Sequence, residues 1–129
     1  MNPAFKIDGV AYNVTIPDGG LKRSAKILDG DNAERAKTGR MIRDIIGTYY
    51  NYNVQLDTKN LDVSSYDRLF EVLTAPVDSH TVVIPYGQGM LTFEAYVSGA
   101  DDVIKLIQEE RTLWGDLSFS FIAMGPQRT

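Results

Sequence analysis

One histidine and no cysteine leave this chain few side chains that do chemistry near neutral pH. His80 stands just past Pro76 and next to a strand-like run, where a lone histidine is more often a surface or strand-end residue than a ligand. A zinc site would have to be built from carboxylates. Asp101-Asp102 and Glu109-Glu110 are adjacent acids of the kind common on solvated surfaces. Asp29-Gly30-Asp31-Asn32 opens like a calcium loop but is not followed by the bidentate glutamate such a loop needs. Gly87-Gln88-Gly89 lacks the third glycine and the following helix of a phosphate loop, so it reads as a turn. No Gly-x-Ser-x-Gly elbow is present. The expectation is a protein that is not an enzyme, with no metal site and no cofactor.

The most distinctive chemistry is charge. Between Lys22 and Arg43 stand seven basic residues (Lys22, Arg23, Lys26, Arg35, Lys37, Arg40 and Arg43) against three acids (Asp29, Asp31 and Glu34), a net of +4. The whole chain carries −4, which leaves −8 for the rest. Two copies of such a chain attract each other, arm to body. A groove-reading nucleic-acid binder concentrates positive charge over the domain, whereas this chain has a pI near 4.9. Contact of the basic arm with phosphate remains an alternative.

The elements that carry these residues are mostly strands. Phe5 to Ile16 reads as a hairpin turning at Asp8-Gly9, with Val10, Tyr12, Val14 and Ile16 alternating behind it. Pro17-Asp18-Gly19-Gly20 is a break, and Leu21 to Leu28 is a weaker, lysine- and arginine-bearing strand. Ile45 to Asp57 is the clearest strand: Tyr50, Tyr52, Val54 and Leu56 share one face, and Tyr49, Asn51, Asn53 and Gln55 the other. The tyrosines suggest either core packing with hydroxyls at the rim or a stacking platform for sugars or bases. Between the last two strands lies Leu28 to Asp44, a polar stretch without a core pattern. It is far longer than a hairpin turn, and such a loop is a binding or assembly element, or orders only on a partner.

Ser64 to Leu73 reads as a helix, with Tyr66, Leu69, Phe70 and Leu73 on one stripe, Ser64 and Asp67 as a capping pair, and Pro76 as the stop. Thr81 to Tyr86 is a strand in which Pro85 marks an edge or an end. Leu91, Phe93, Ala95 and Val97 alternate in the next strand. Asp101 to Arg111 fits either a helix or a short amphipathic strand. Leu117, Phe119, Phe121 and Ala123 alternate in the last strand. The expected fold is mainly β (α+β): a small β-sandwich or split barrel of six to seven strands with one packed helix at about 64–74. The expected organisation is a single domain, 1–129, with an extended polar arm at about 28–44. The N-terminus lacks the basic and apolar regions of a secretion signal, and no apolar run nears the ~18–20 residues that span a bilayer.

The run Leu28-Asp29-Gly30-x-Asn32-x-x-Arg35-x-x-x-Gly39-x-Met41-x-Arg43-Asp44 resembles small tail proteins of phages and prophages of Gram-positive bacteria. The order around it is also similar, from the Ile7-Asp8-Gly9-Val10 start to the last strand that begins Trp114-Gly115-Asp116-Leu117-Ser118-Phe119. The resemblance implies a tail-tube-like fold, shared by tube, distal-tail and hub proteins, whose members form rings, typically hexamers, around a DNA channel. It implies that the arm contacts neighbouring subunits, through Asp29, Asn32, Arg35, Lys37, Arg40, Met41 and Arg43. The implied partners are further copies of the chain, other tail proteins, and DNA passing through without sequence-specific binding, with no membrane. The implied location is the virion tail, and the bacterial cytoplasm during assembly. The chain is short for a full distal-tail protein and has no room for a second, carbohydrate-binding-like domain. The alternative is a β-barrel module that binds a small ligand, carbohydrate or nucleic acid.

Overall fold

The computed structural model describes residues 5–12, 16–56, 63–108 and 111–129. Val14, Asp57 and the Glu109-Glu110 pair fall outside the described residues. The chain folds as a mainly β, sandwich-like structure with one helix. Ten strands are present among the described residues: β1 Lys6–Ile7, β2 Val10–Ala11, β3 Leu21–Asp29, β4 Glu34–Arg35, β5 Met41–Ile42, β6 Ile45–Gln55, β7 His80–Tyr86, β8 Gly89–Tyr96, β9 Ala100–Gln108 and β10 Arg111–Ala123. The helix α1 is Val63–Leu73, between β6 and β7. The strands beyond the expected six or seven are β4, β5 and β9, none of which buries one face cleanly enough to announce itself by alternation.

One strand joins the two halves. Near its end β10 pairs with β8 through Ile122 and Ala123, continuing the order β8, β7, β1, β2. Further back, Ser118 to Phe121 pair with β6, and β3 lies beyond β6. The opposite side of β10, from Arg111 to Phe119, pairs with β9. The rings of Phe119 and Phe121 are 5.1 Å apart, and Phe121 meets Phe5 at 5.8 Å, all edge to face. Tyr52, Ile7, Leu69, Ile84 and Leu117 are fully buried around them. The inward alternation expected for β6, β8 and β10 is present, and Leu56 is buried just past β6.

Tyr66, Leu69 and Leu73 enter this same core from α1, and Phe70 packs at its margin. The helix begins at Val63, so Ser64 stands inside its first turn rather than ahead of it as a cap. Asp101 to Gln108, which the sequence left between helix and strand, belongs to strand β9. Its Val103, Ile104 and Ile107 are exposed, so these members of the apolar stripe that mimics a helix cover no core. Val10, expected to point inward, is also exposed, while Tyr12 is buried.

Polar side chains complete the sheet where β10 leaves β6. The Asn51 side-chain Oδ1 accepts the Ala123 amide at 2.8 Å. The Gln127 amide bonds both backbone groups of Tyr50, at 2.9 and 2.8 Å, and so replaces a neighbouring strand there. Beyond it, the Thr48 amide donates to the Arg128 carbonyl at 2.7 Å. Gly47 permits this approach: a Cβ there would lie 2.6 Å from both the Arg128 oxygen and the Pro126 ring. Gly47→Ala is therefore expected to lift the C-terminal segment off β6 and cost about 1–3 kcal/mol. Hydrogen exchange at the Thr48 amide reads this directly; unchanged protection would refute it.

One carboxylate ties the turn of the N-terminal hairpin to the start of β7. Asp8 and Gly9 both have positive φ, as a tight two-residue turn requires. Asp8 Oδ2 lies 2.7 Å from buried His80 Nδ1, and Oδ1 accepts the Thr81 amide at 2.9 Å. Hydrogen bonding to His80, with the Thr81 amide next, holds the Asp8 carboxyl below its ordinary 3.8. Glu94 is held low in the same way by the Thr81 and Ser79 hydroxyls. A lowered folded value means that the Asp8 contribution is full above pH ~4 and is lost as pH falls through that lowered value. Because its side chain is half exposed, the contribution is held to under about 1 kcal/mol. Asp8→Asn is expected to flatten the acid limb of a stability–pH curve below pH ~4. An acid limb identical to that of the parent would remove Asp8 as its cause.

Candidate assembly interface

The polar stretch 28–44 is not an open loop but the far end of a β-hairpin. β3 and β6 pair continuously from Leu21↔Val54 to Leu28↔Gly47, then shift register to Asp29↔Ile45. Past that point β4 and β5 resume pairing, Glu34 opposite Ile42 and Arg35 opposite Met41. The β4–β5 ladder makes no substantial contact with any other element among the described residues. Ten residues of strand reach at most about 33 Å, whereas a compact chain of this length has a radius of gyration of about 14 Å. Such a hairpin is long enough to touch a neighbour.

A lock of two aspartates sets its base. Asp29 accepts both Arg43 Nε, at 2.9 and 3.0 Å, and the Asp44 amide, at 3.2 Å. The Asp44 carbonyl accepts the Gly30 amide at 2.7 Å, and its carboxylate accepts the Asn32 amide at 3.3 Å. The Arg43 hydrogen bond is the main reason that the Asp29 carboxyl is held below its usual range. At the tip, the Ala36 carbonyl accepts the Gly39 amide, and Arg35 Nη1 reaches the Gly39 carbonyl at 2.9 Å.

The structure thus sorts the candidate residues. Asp29, Asn32 and Arg43 are joined at the base and give the hairpin its register. Arg35 closes the tip turn. Arg23, lower on the hairpin, lies 5.2 Å from the centre of the Tyr86 ring. The side chains of Lys37 and Arg40 make no ion pair or hydrogen bond among the described residues, and both are exposed at the tip. Met41 is exposed beside Arg35.

Sequence reasoning missed the apolar part of this surface. Ile27, Ile42, Ile45 and Ile46 are all exposed on the hairpin, Ile45 at 58%. Ile27 and Ile46 continue the face that lower down carries Tyr50 and Tyr52, but nothing covers them among the described residues. The available signal was the Ile45-Ile46 pair directly after Arg43-Asp44, two large apolar residues adjoining a polar stretch that has no core pattern.

The second long hairpin, β9–β10, exposes Val103, Ile104, Ile107 and Trp114. Its register shifts between Leu113 and Trp114 and again between Gly115 and Ser118, where Asp116 has φ 53° and pairs with Lys105. Between this hairpin and α1 lies a cavity of about 320 Å³ lined by Tyr66, Asp67, Phe70, Glu71, Asp102 and Trp114. A larger groove of about 540 Å³ lies over β3, β6 and β10, with Lys22, Asn53, Gln55, Asp101 and Ser120 among its walls.

Tyr50 and Tyr52, two of the three tyrosines of β6, are taken up by the core. Tyr52 is buried with its hydroxyl donating to the Pro85 carbonyl at 2.9 Å, and the Tyr50 hydroxyl accepts from Tyr86 at 3.1 Å. Among the described residues no three acids or histidines come together to hold a metal, and no helix is long and apolar enough to cross a membrane. No protein-family model matches the chain, and no curated protein matches it significantly.

Proposed function

We propose that this protein is a structural subunit that assembles with copies of itself into a closed ring, in the manner of the phage tail proteins its arm resembles. The observation that carries the reading is the projecting β3–β6 hairpin, ordered by its own lock yet leaving Ile27, Ile42, Ile45 and Ile46 exposed. Large apolar residues gathered on a projecting element mark an interaction surface rather than scattered surface variation.

The sheet edges support the same reading. Among the described residues β3 pairs only with β6 and β9 only with β10, so each presents an open row of backbone donors and acceptors. A head-to-tail contact between such different edges makes a ring when its rotation closes. The basic arm lies against an acidic neighbouring body, other tail proteins stack on the ring, and DNA passes an acid-lined channel without base-specific contact. In this role the protein resides in the virion tail, after assembly in the bacterial cytoplasm. Native mass spectrometry with negative-stain microscopy tests the proposal. Closed rings are expected; a monomer persisting to several hundred micromolar (about a hundredfold above a micromolar contact) would overturn it.

A second reading rests on the 540 Å³ groove, whose amides and hydroxyls suit a polar ligand such as a saccharide. The Ser120 hydroxyl already donates to Asn53 at 2.5 Å there. Binding of a monomeric form to members of a glycan panel would favour it; no binding at millimolar sugar would remove it.

A further inference from the structure

The cavity between α1 and the β9–β10 hairpin has a chemistry that the assembly reading leaves unexplained. Among the described residues its lining consists of three aromatics, Tyr66, Phe70 and Trp114, and three acids, Asp67, Glu71 and Asp102. At about 320 Å³ it is at the small end for a ligand site, a size suited to one long side chain. Aromatic faces combined with carboxylates attract an organic cation, a guanidinium above all. Its plane stacks on a ring while its edge hydrogen-bonds a carboxylate.

The site is also built in advance. The Tyr66 hydroxyl donates to Asp102 Oδ2 at 2.5 Å from a ring that is almost fully buried. Burial, with this bond next, pushes the Tyr66 phenol up, so it stays a donor. Asp102 is thereby fixed in place while its other oxygen keeps acceptor capacity. Asp67 and Glu71 are exposed at the rim.

The chain itself carries the matching group. Of the arm cations, Arg43 is held by Asp29 and Arg35 by the Gly39 carbonyl, whereas Arg40 projects beside the tip turn with no side-chain partner among the described residues. Arg40 does not line the cavity of its own molecule. We propose that the aromatic–acidic cavity of one subunit receives the Arg40 guanidinium from the arm of a second copy. This rests on the assembly reading and names the acceptor that reading lacks.

A charge-swap cycle on the full chain tests it. Arg40→Glu and Glu71→Lys, both exposed positions, are each expected to weaken association about tenfold or more, and the double variant to recover most of the loss. Lys37→Glu combined with Glu71→Lys serves as the control and is expected to show no recovery. Trp114, the one tryptophan, supplies a local readout. Its emission should change on association of the parent and not on association of Arg40→Ala at concentrations high enough to force assembly. If rings form but the Arg40 and Glu71 effects merely add, or Trp114 emission is indifferent to Arg40, the cavity is not the acceptor although assembly stands. A parent that never associates removes the assembly reading and this inference together.

Discussion

Phe121→Ala is expected to lower the unfolding free energy by about 3–5 kcal/mol, the usual cost of a buried aromatic that the core cannot replace. Phe121 is fully buried, meets Phe5 and Phe119 edge to face, and sits on the strand that belongs to both halves of the fold. A cavity at that position loosens β6 and β8 together, so relaxation on one side cannot fill it without opening the other. Against a typical total of 5–15 kcal/mol the loss is severe, and the melting temperature should fall by more than ~10 °C. Phe121→Leu, which keeps much of the volume, should cost clearly less. Paired chemical-denaturation curves measure both. An alanine variant within ~1 kcal/mol of the parent would mean that β10 is not the joint of the core.

Replacing Gly30 to Asp44 by Asn-Gly is expected to do the reverse: little to stability, everything to assembly. Asp29 and Ile45 are directly paired, so a two-residue turn can close the shortened hairpin. The removed residues are largely exposed, and among the described residues they make no substantial contact with another element, so the monomer should stay within about 1 kcal/mol of the parent. Association should vanish, because the tip cations leave with Met41 and Ile42. Ile45→Lys, changing one exposed side chain, should weaken association without altering the melt. Sedimentation velocity beside thermal melting separates the outcomes. An unfolded variant would place the arm in the core, and a variant that still forms rings would acquit the arm of any part in the interface.

The same arm shows where sequence reading stops. Alternation reveals a strand when one face is buried and the other wet, which is why Tyr50, Tyr52 and Val54 or Phe119 and Phe121 could be read directly. In β4, β5 and the outer part of β9 both faces are open, so the period-two signal disappears. There the polar stretch looks like a loop, and Val103, Ile104 and Ile107 look like a helical stripe. The basic character of the arm needed no structure, since it is a sum over residues. Which cations stay available did need it: Arg43 meets Asp29 from fourteen residues away only because the hairpin sets the register. The Tyr66–Asp102 bond, across thirty-six residues, carries no local signature at all.

By itself the sequence determined the β-rich class, the one helix with its buried stripe, the inward faces of three central strands, and a basic segment on an acidic chain. These are local properties, fixed by side-chain period and by charge. Only the tertiary structure decided that the segment is a locked hairpin, that β10 serves both halves of the sheet, that isoleucines are left in water, and that aromatics and acids meet in one cavity. Each of these depends on which distant residues become neighbours, and strand register, set by backbone pairing across long loops, is the quantity that a linear pattern does not contain.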